Sequence, residues 1–265
     1  MARSKVAVRG LTKVFAEPGS GKQTEALRDV SITIEAHEIV CLLGPSGCGK
    51  STVLRVVAGF EQASGGEVLL DGRPIVGPGP DRGVVFQEQA LFPWRSIYEN
   101  IVYGPKIRGR PRAEYEELAE RYIGIVGLRG FENHYPHELS GGMKQRVAIA
   151  RVLMNAPEVL LMDEPFGALD AQTRATMHEW LLDLWQTSPR AALFITHDVD
   201  EAILLADRVY VMTARPGRIK LELAVDIPRP RALDVLTSDR FMALKREVLE
   251  CIRTEARAAL ELPRA

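Results

Sequence analysis

The stretch EIVCLLGPSGCGKSTVL, residues 38–54, joins an apolar run to a glycine-rich loop and then to a sequence of helical composition. Ile39 to Leu43 is unbroken and apolar, which predicts a strand buried on both faces. The pattern G-x-x-x-x-G-K-[ST] then runs from Gly44 to Ser51, in the strand-loop-helix setting that the pattern requires. Glycines let backbone N–H groups turn toward phosphates, and the start of a helix adds partial positive charge. The stretch therefore predicts a phosphate-binding loop.

Strands and helices follow on both sides of this loop. Alternation of apolar and polar residues predicts two antiparallel strands, SKVAVRGLTKVF (residues 4–15) and ALRDVSITIEA (residues 26–36). Buried strands return in EVLLMDE (158–164) and AALFITHD (191–198), and AQTRATMHEWLLDLW (171–185) predicts a helix between them. This alternation of strand and helix predicts an α/β fold with a parallel sheet.

Composition indicates a globular chain and argues against a nucleic-acid partner and a disulfide framework. The 265 residues are 46% hydrophobic and 26% charged, which is typical of a globular chain with an ample core. The net charge of -1 argues against nucleic acid as the main partner, and three cysteines do not form a disulfide framework. No apolar run approaches the ~18–20 residues that span a bilayer. We therefore expect a cytosolic chain that reaches a membrane only through another protein.

Three polar side chains at predicted strand ends are candidates for chemistry on the bound phosphates. Asp163 and Glu164 follow a buried strand, where an aspartate suits Mg²⁺ and a glutamate suits a general base for water. His197 ends another buried strand and is a candidate contact of the γ-phosphate. In isolation, the aspartate could equally cap a helix and the histidine could be a satisfied core residue. Phe15 is either a core aromatic or an exposed ring that stacks on adenine.

The order of several motifs identifies a resemblance to the nucleotide-binding subunits of ABC transporters. These motifs are GPSGCGKST (44–52), Gln87, LSGGMKQR (139–146), VLLMDEP (159–165), GALD (167–170) and ITHD (195–198). The resemblance runs from Lys5 to about Gly217. It implies a P-loop NTPase of the ABC ATPase type, with an antiparallel β subdomain and an inserted helical subdomain. The implied catalytic core is 1–87 with 155–225, the helical subdomain that carries LSGG is 88–154, and a short helical tail is 226–265.

The resemblance also implies roles for individual residues. ATP would contact Phe15, Gly44, Pro45, Ser46, Gly47, Cys48, Gly49, Lys50, Ser51 and Thr52. Catalytic roles fall to Lys50, Gln87, Glu164 and His197, and Mg²⁺ ligands to Ser51, Gln87 and Asp163. The residues Ser140, Gly141, Gly142 and Gln145 would cap the γ-phosphate of ATP held by a second copy of the chain. Asp170 would communicate across that dimer.

Further resemblance concerns the transport partner. GPGPDRGVVFQEQALFPWRSIYENI (77–101) and ARPGRI (214–219) resemble the nitrate/sulfonate/taurine importer subfamily. Leu91, Phe92 and Trp94 would then form the groove that receives a membrane permease, although local packing of the helical insertion explains them equally well. The expected protein is a homodimeric ATPase on the cytoplasmic face of the inner membrane, with a permease and, indirectly, a substrate-binding protein. The alternatives are an ABC exporter or lipid-extraction ATPase, or a soluble ABC ATPase without a transport role.

Overall fold

The computed structural model describes residues 4–16, 19, 21, 23–88 and 90–261, and these form two compact units. The first unit combines the described parts of Met1–Gly79 and Pro189–Ala265, and the second is Pro80–Ser188. The second unit is larger than the helical subdomain predicted at 88–154, because it also takes in the flanking strands and one long helix. The predicted subdomain boundaries therefore stay a prediction, and residues 262–265 of the predicted tail lie outside the described residues.

The described residues form ten strands and eight α-helices. The strands are β1 (Val6–Ala16), β2 (Gln23–Ile34), β3 (Ile39–Leu43), β4 (Gly65–Leu70), β5 (Arg73–Pro74), β6 (Arg82–Val85), β7 (Val159–Asp163), β8 (Ala191–Thr196), β9 (Arg208–Met212) and β10 (Ile219–Ala224). The helices are α1 (Lys50–Ala58), α2 (Ile97–Ile101), α3 (Tyr103–Ile107), α4 (Arg112–Ile125), α5 (Gly141–Leu153), α6 (Ala171–Thr187), α7 (Val199–Leu205) and α8 (Asp239–Glu261). In the described part of the chain, no helix is both long and apolar enough to cross a membrane.

The first unit contains an antiparallel sheet in the order β2-β1-β4-β5. In the second half of β2, Val30, Ile32 and Ile34 are buried, while Ser31 between them is exposed. This is the period of two that the sequence predicts for a strand with one wet face. The two antiparallel strands predicted from alternation are therefore present as β1 and β2.

The same unit contains a parallel set of strands, in which β3 lies between β8 and β9. All five residues of β3 are buried, as its unbroken apolar run predicts. Leu43 at the end of β3 pairs with Thr196 at the end of β8. Because parallel strands end at a common edge, the loop after β3 and His197 after β8 both begin at that edge.

The second unit pairs β6 and β7 in parallel and also contains helices α2 to α6. Val85 at the end of β6 pairs with Met162, one residue before the end of β7. Gln87 therefore follows one strand of the pair, and Asp163 with Glu164 lies at the matching end of the other. The strand predicted in EVLLMDE is confirmed as β7.

Arg231 fixes the chain segment after β10 against the end of α7. Its side chain is buried, and its guanidinium donates hydrogen bonds to five backbone carbonyls at 2.6–3.2 Å. The accepting oxygens belong to Ile203, Leu204, Ala206, Val225 and Ile227. Burial, with the charge of Arg229 adding to it, lowers the pKa of Arg231 to about 10, so the side chain remains charged at neutral pH.

Replacement of Arg231 is expected to destabilise the first unit. Arg231→Met keeps the apolar stem but leaves five buried carbonyls without their donor, which costs about 2–4 kcal/mol of unfolding free energy. Urea denaturation followed by circular dichroism measures the change. Arg240→Met is the control, because Arg240 is exposed and its ion pair is with the exposed Asp226. An equal loss of stability in both variants would contradict the assignment.

Candidate active site

The phosphate loop lies between β3 and α1, and its glycines meet steric demands that other residues do not. Gly47 and Gly49 have φ values of 75° and 106°, in the left-handed region. A Cβ on Gly49 would lie 2.5 Å from Leu27 Cδ2, and one on Gly44 would lie 2.9 Å from Cys48 Sγ. In this cradle of backbone, Gly44 and Gly49 therefore have no room for a side chain, and the left-handed φ of Gly47 and Gly49 favours glycine at both positions.

Lys50 places its charge inside this cradle. The side chain is 6% exposed, and Nζ donates to the carbonyls of Gly44 at 2.9 Å and Pro45 at 3.1 Å. Cys48 is buried beside it, with Sγ 4.0 Å from the ammonium nitrogen. An ammonium held by neutral carbonyls can exchange them for phosphate oxygens without breaking an ion pair. This arrangement fits the predicted role of Lys50 in binding phosphates.

The start of α1 adds to the positive potential of the loop. The helix has no acidic residue in its first turn and no side-chain cap on its N-terminal N–H groups. Ser51 and Thr52 lie in that first turn and are half-buried. A nine-residue helix that begins in this way is a favourable anion site, because its N–H groups point at the ligand. The cradle and the helix start together fit the polyphosphate of a nucleotide.

His197 is exposed just after β8, and side-chain hydrogen bonds fix the residues on either side of it. Thr196 Oγ1 accepts a hydrogen bond from the Asp198 N–H at 3.0 Å. Asp198 Oδ1 in turn caps α7, accepting from the N–H groups of Asp200 at 2.8 Å and Glu201 at 3.2 Å. The imidazole is therefore presented from a rigid turn at the edge where the phosphate loop begins, as a γ-phosphate contact requires.

Phe15 lies near the end of β1 and is 39% exposed. Lys13 Nζ lies 4.8 Å from the centroid of its ring. The exposure agrees with a ring that stacks on adenine and disagrees with a core aromatic. The stacking itself stays a prediction.

In the second unit, the candidate general base Glu164 and the candidate Mg²⁺ ligand Gln87 lie beside the same glycine. Glu164 follows β7 with φ of 45°, an uncommon conformation for a non-glycine residue that often accompanies functional sites. Glu164 Oε2 and Gln87 Nε2 lie 3.6 and 3.7 Å from the position of a Cβ on Gly167. Asp163 is the last residue of β7 and is half-buried. The structure therefore brings Gln87 and Glu164 near each other, and Gly167, the first residue of the GALD motif, is a neighbour for which the sequence predicts no role.

Ser140 begins α5 as its N-cap, with Oγ accepting from the Met143 N–H at 3.3 Å. Its hydroxyl hydrogen is not used in that bond and is available to a ligand. Ser140 and Gly141 are exposed, and the first turn of α5 contains no acidic residue. Gly142 is buried, and a Cβ there would lie 2.5 Å from Thr173 Cγ2. The LSGG motif therefore presents an open helix start backed by close packing.

Gln145 differs from the other residues predicted to act on a second chain's ATP. Its side chain is 0% exposed, so it faces the interior of its own unit. Neither of its amide atoms has a hydrogen-bond partner in the described structure. This burial counts against direct contact with a nucleotide on another chain, and we leave Gln145 out of the proposed site below.

Asp170 is exposed and is the N-cap of α6. Its Oδ1 accepts from the Thr173 N–H at 3.0 Å, and this bond lowers the pKa of the carboxyl. The helix-cap role explains an aspartate here without a partner chain. Communication across a dimer therefore stays a prediction for Asp170.

The segment predicted to dock on a permease, Leu91 to Trp94, is partly exposed to solvent. Trp94 is 70% exposed, whereas Leu91 and Phe92 are half-buried. The Phe92 ring lies 4.5 Å from that of Tyr103 and 5.8 Å from that of Trp94. Arg151 adds a guanidinium 5.4 Å from the Phe92 ring and donates to the Ala90 carbonyl at 2.9 Å. Trp94 thus has the exposure of a docking residue, while Phe92 also has a packing role.

Asn100 shapes this segment, although no sequence pattern indicates such a role. It is fully buried, and its Oδ1 accepts from the Phe92 N–H at 2.9 Å. Its Nδ2 lies within hydrogen-bond distance of three carbonyl oxygens, those of Phe92, Arg95 and Ser96, at 3.0–3.1 Å. A buried side chain with this many backbone partners fixes the conformation of the loop.

Asn100→Ala is expected to loosen the segment from Phe92 to Ser96. The variant leaves buried backbone groups without partners, and we expect a loss of about 2–4 kcal/mol in unfolding free energy. Hydrogen exchange at the Phe92 amide would rise, because that N–H loses its acceptor. Asn133→Ala is the matched control, since Asn133 is exposed in the same unit. Unchanged exchange at Phe92 in the Asn100 variant would contradict this role.

The chain is similar to known proteins over most of its length. A family model described as ABC transporter matches residues 27–167. The chain is 49% identical over 221 residues to a nitrate import ATP-binding protein of Synechocystis, which covers 83% of this chain and 82% of the relative. It is 46% identical over 217 residues to a taurine import ATP-binding protein of Roseobacter denitrificans, with 82% and 81% covered.

A solved structure supports the fold. A dimeric ATP-binding cassette bound to ADP and Pi matches with a TM-score of 0.73 at 30% identity, covering 84% of this chain and all of the other (100%). This similarity confirms the predicted fold class.

Proposed function

Since the chain belongs to the ABC transporter family and is an ATPase of that family, we propose that it powers an importer for a small anion such as nitrate, sulfonate or taurine. The observation that carries the proposal is the similarity, over about four fifths of each chain, to the nitrate and taurine import proteins. The cargo would be recognised by other subunits, because the candidate residues described above are all suited to phosphates, to a second chain or to a permease.

The chemistry proposed for the site assigns one task to each group. The loop N–H groups bind the phosphates of ATP, and Lys50 exchanges the carbonyls of Gly44 and Pro45 for phosphate oxygens. Glu164 accepts the proton of the attacking water, and His197 contacts the γ-phosphate.

Ser51, Gln87 and Asp163 are the proposed ligands of Mg²⁺. Their hydroxyl, carboxamide and carboxylate oxygens are the hard donors that this ion prefers alongside substrate phosphates. When bound, the ion neutralises charge on the phosphates.

We further propose that two copies of the chain close around two ATP molecules. The exposed Ser140 and Gly141 at the start of α5 offer a hydroxyl and N–H groups to an anion, and the γ-phosphate on the second copy is that anion. The dimeric cassette bound to ADP and Pi supports such an assembly. Hydrolysis removes the phosphate shared by the two copies and weakens their interface, which converts chemistry into movement.

The proposed membrane partner is a separate permease that docks on the segment containing Leu91, Phe92 and Trp94. The chain would then lie peripherally on the cytoplasmic face of the membrane, with a substrate-binding protein acting on the opposite side. The exposed indole of Trp94 supports this docking position, because an exposed aromatic at the edge of an apolar cluster is typical of protein interfaces.

Co-purification from the native membrane tests the proposal. The tagged chain, extracted in mild detergent, is expected to retain an integral membrane protein of several spans, and that complex is expected to show ATP-dependent uptake of one of the proposed anions when reconstituted. Trp94→Glu is expected to lose the membrane protein while retaining ATP hydrolysis. Val76→Glu, which alters an 88% exposed apolar residue in the first unit, is the control and should retain it. Retention of ribosomes or repair proteins, or ATP-driven export of lipid, would instead support the alternatives.

A further inference from the structure

The hairpin between β9 and β10, Thr213 to Arg218, packs against the phosphate loop. Thr213 N donates to the Arg218 carbonyl at 2.9 Å, and Thr213 Oγ1 accepts from the Arg218 N–H at 3.0 Å. Gly217 N donates to the Ala26 carbonyl at 2.9 Å, and the Gly217 carbonyl accepts from the Arg28 N–H at 3.0 Å. The hairpin is therefore closed at its base and fixed to β2.

The contact between this hairpin and the phosphate loop is close. A Cβ on Gly217 would collide with the Cys48 carbonyl oxygen and lie 2.5 Å from Met212 Cε. Arg215, two residues before Gly217, lies with Nη2 3.4 Å from the Gly47 carbonyl oxygen. Gly47 lies in the left-handed region, so its peptide is part of the alternating backbone that turns N–H groups toward an anion. The guanidinium of Arg215 is thus at the edge of the anion cradle.

Glu25 compensates the charges of two neighbouring arginines, Arg28 and Arg218, but not that of Arg215. Arg28 forms a two-pronged ion pair with Glu25, with Nε 2.8 Å from each carboxylate oxygen. The charge of Arg218 also acts on Glu25, whose pKa is lowered chiefly by its hydrogen bond to Arg28. In the part of the chain that the structure describes, Arg215 has only the Gly47 carbonyl as a hydrogen-bond partner and no carboxylate. Its exposed guanidinium is uncompensated beside a loop built for a polyanion.

We propose that Arg215 is a further nucleotide-binding residue, which holds the Gly47 carbonyl and stabilises the polyphosphate of bound ATP with its positive charge. The guanidinium uses one of its five N–H donors on the loop and keeps the others for solvent or phosphate oxygens. Because the side chain is exposed, its effect is that of one screened charge, about three- to tenfold in nucleotide affinity. The inference concerns the nucleotide site alone and does not depend on which anion the protein transports.

Three variants of the full-length chain test the proposal. Arg215→Ala is expected to raise the KM for MgATP about three- to tenfold with little change in kcat. Arg215→Lys, which keeps the charge, is expected to recover most of the affinity. Arg218→Ala removes a cation from the same hairpin that Glu25 already compensates, and its KM is expected to stay within about twofold of that of the unaltered chain.

A second measurement separates nucleotide binding from folding and from catalysis. The unfolding temperature of each variant is compared with and without MgATP, because at a fixed concentration a ligand that binds more tightly stabilises the folded state more. Arg215→Ala is expected to unfold at the same temperature as the unaltered chain without nucleotide, and to show a smaller shift with MgATP. Equal shifts in the Arg215→Ala and Arg218→Ala variants, or an unchanged KM in Arg215→Ala, would overturn the proposal.

Discussion

Glu164→Gln is expected to lower the rate of ATP hydrolysis by about 10²–10⁴-fold, the usual contribution of a general base. Glutamine has nearly the same shape, but its neutral amide does not take a proton from water. Glu164 has a left-handed φ of 45°, and its carboxylate and the Gln87 carboxamide both lie beside Gly167, which is where the proposal places the base. Phosphate release measures the rate, and equilibrium dialysis measures bound ATP, which we expect to be retained.

A second carboxylate in the same unit provides the control for this prediction. Glu179 is exposed on α6, and Glu179→Gln changes the net charge by the same amount. Its rate is expected to stay within about twofold of that of the unaltered chain. If Glu164→Gln hydrolysed ATP at the normal rate, the base would have to be another group and the assignment would be wrong.

Ser140→Arg is expected to reduce hydrolysis to the level of the Glu164 variant while leaving ATP bound to each chain. The proposed reason is that Ser140 acts on the nucleotide of a second copy, so a long side chain at this exposed helix start keeps the copies apart. The phosphate loop of the altered chain is unchanged, and single-chain binding of ATP should therefore persist. Phosphate release and ATP titration of the same sample measure both quantities.

Two further variants separate this effect from damage to the helix. Ser140→Ala removes the N-cap bond to Met143, which costs about 1 kcal/mol of stability, but adds no bulk. It is expected to reduce hydrolysis far less than Ser140→Arg. Ala113→Arg places the same bulk in the first turn of α4, where Ala113 is exposed, and is expected to hydrolyse ATP normally. Normal hydrolysis by Ser140→Arg would show that each site is complete within one chain.

The features that local sequence dictates were predicted correctly. The buried run from Ile39 to Leu43 forms β3, and Lys50 begins α1, because an apolar strand and a glycine loop constrain the backbone over a few residues. The N-cap bond of Ser140 at the start of α5 is a short-range feature of the same kind, because serine is a favoured cap. Fold class and family follow from such short-range patterns and their order along the chain.

Features that depend on distant neighbours were not predictable in the same way. Gln145 was expected to face a second chain, yet packing within its own unit buries it completely. Asn100 and Arg231 organise backbone through carbonyls up to 28 residues away in sequence, and no local pattern distinguishes them from surface residues. The boundary of the second unit likewise depends on which helices pack together, which composition along the chain does not reveal.

The central claim is that residues of two copies of the chain together bind each ATP. Its most direct test is whether Glu164→Gln, the variant expected to hydrolyse ATP slowly, dimerises when ATP is bound. In sedimentation velocity with MgATP, Glu164→Gln is expected to form a dimer that retains two ATP molecules, and to be monomeric without nucleotide. The double variant Glu164→Gln with Ser140→Arg is expected to remain a monomer that still binds ATP. A dimer that persists in the double variant, or a Glu164→Gln chain that stays monomeric at saturating MgATP, would contradict the account.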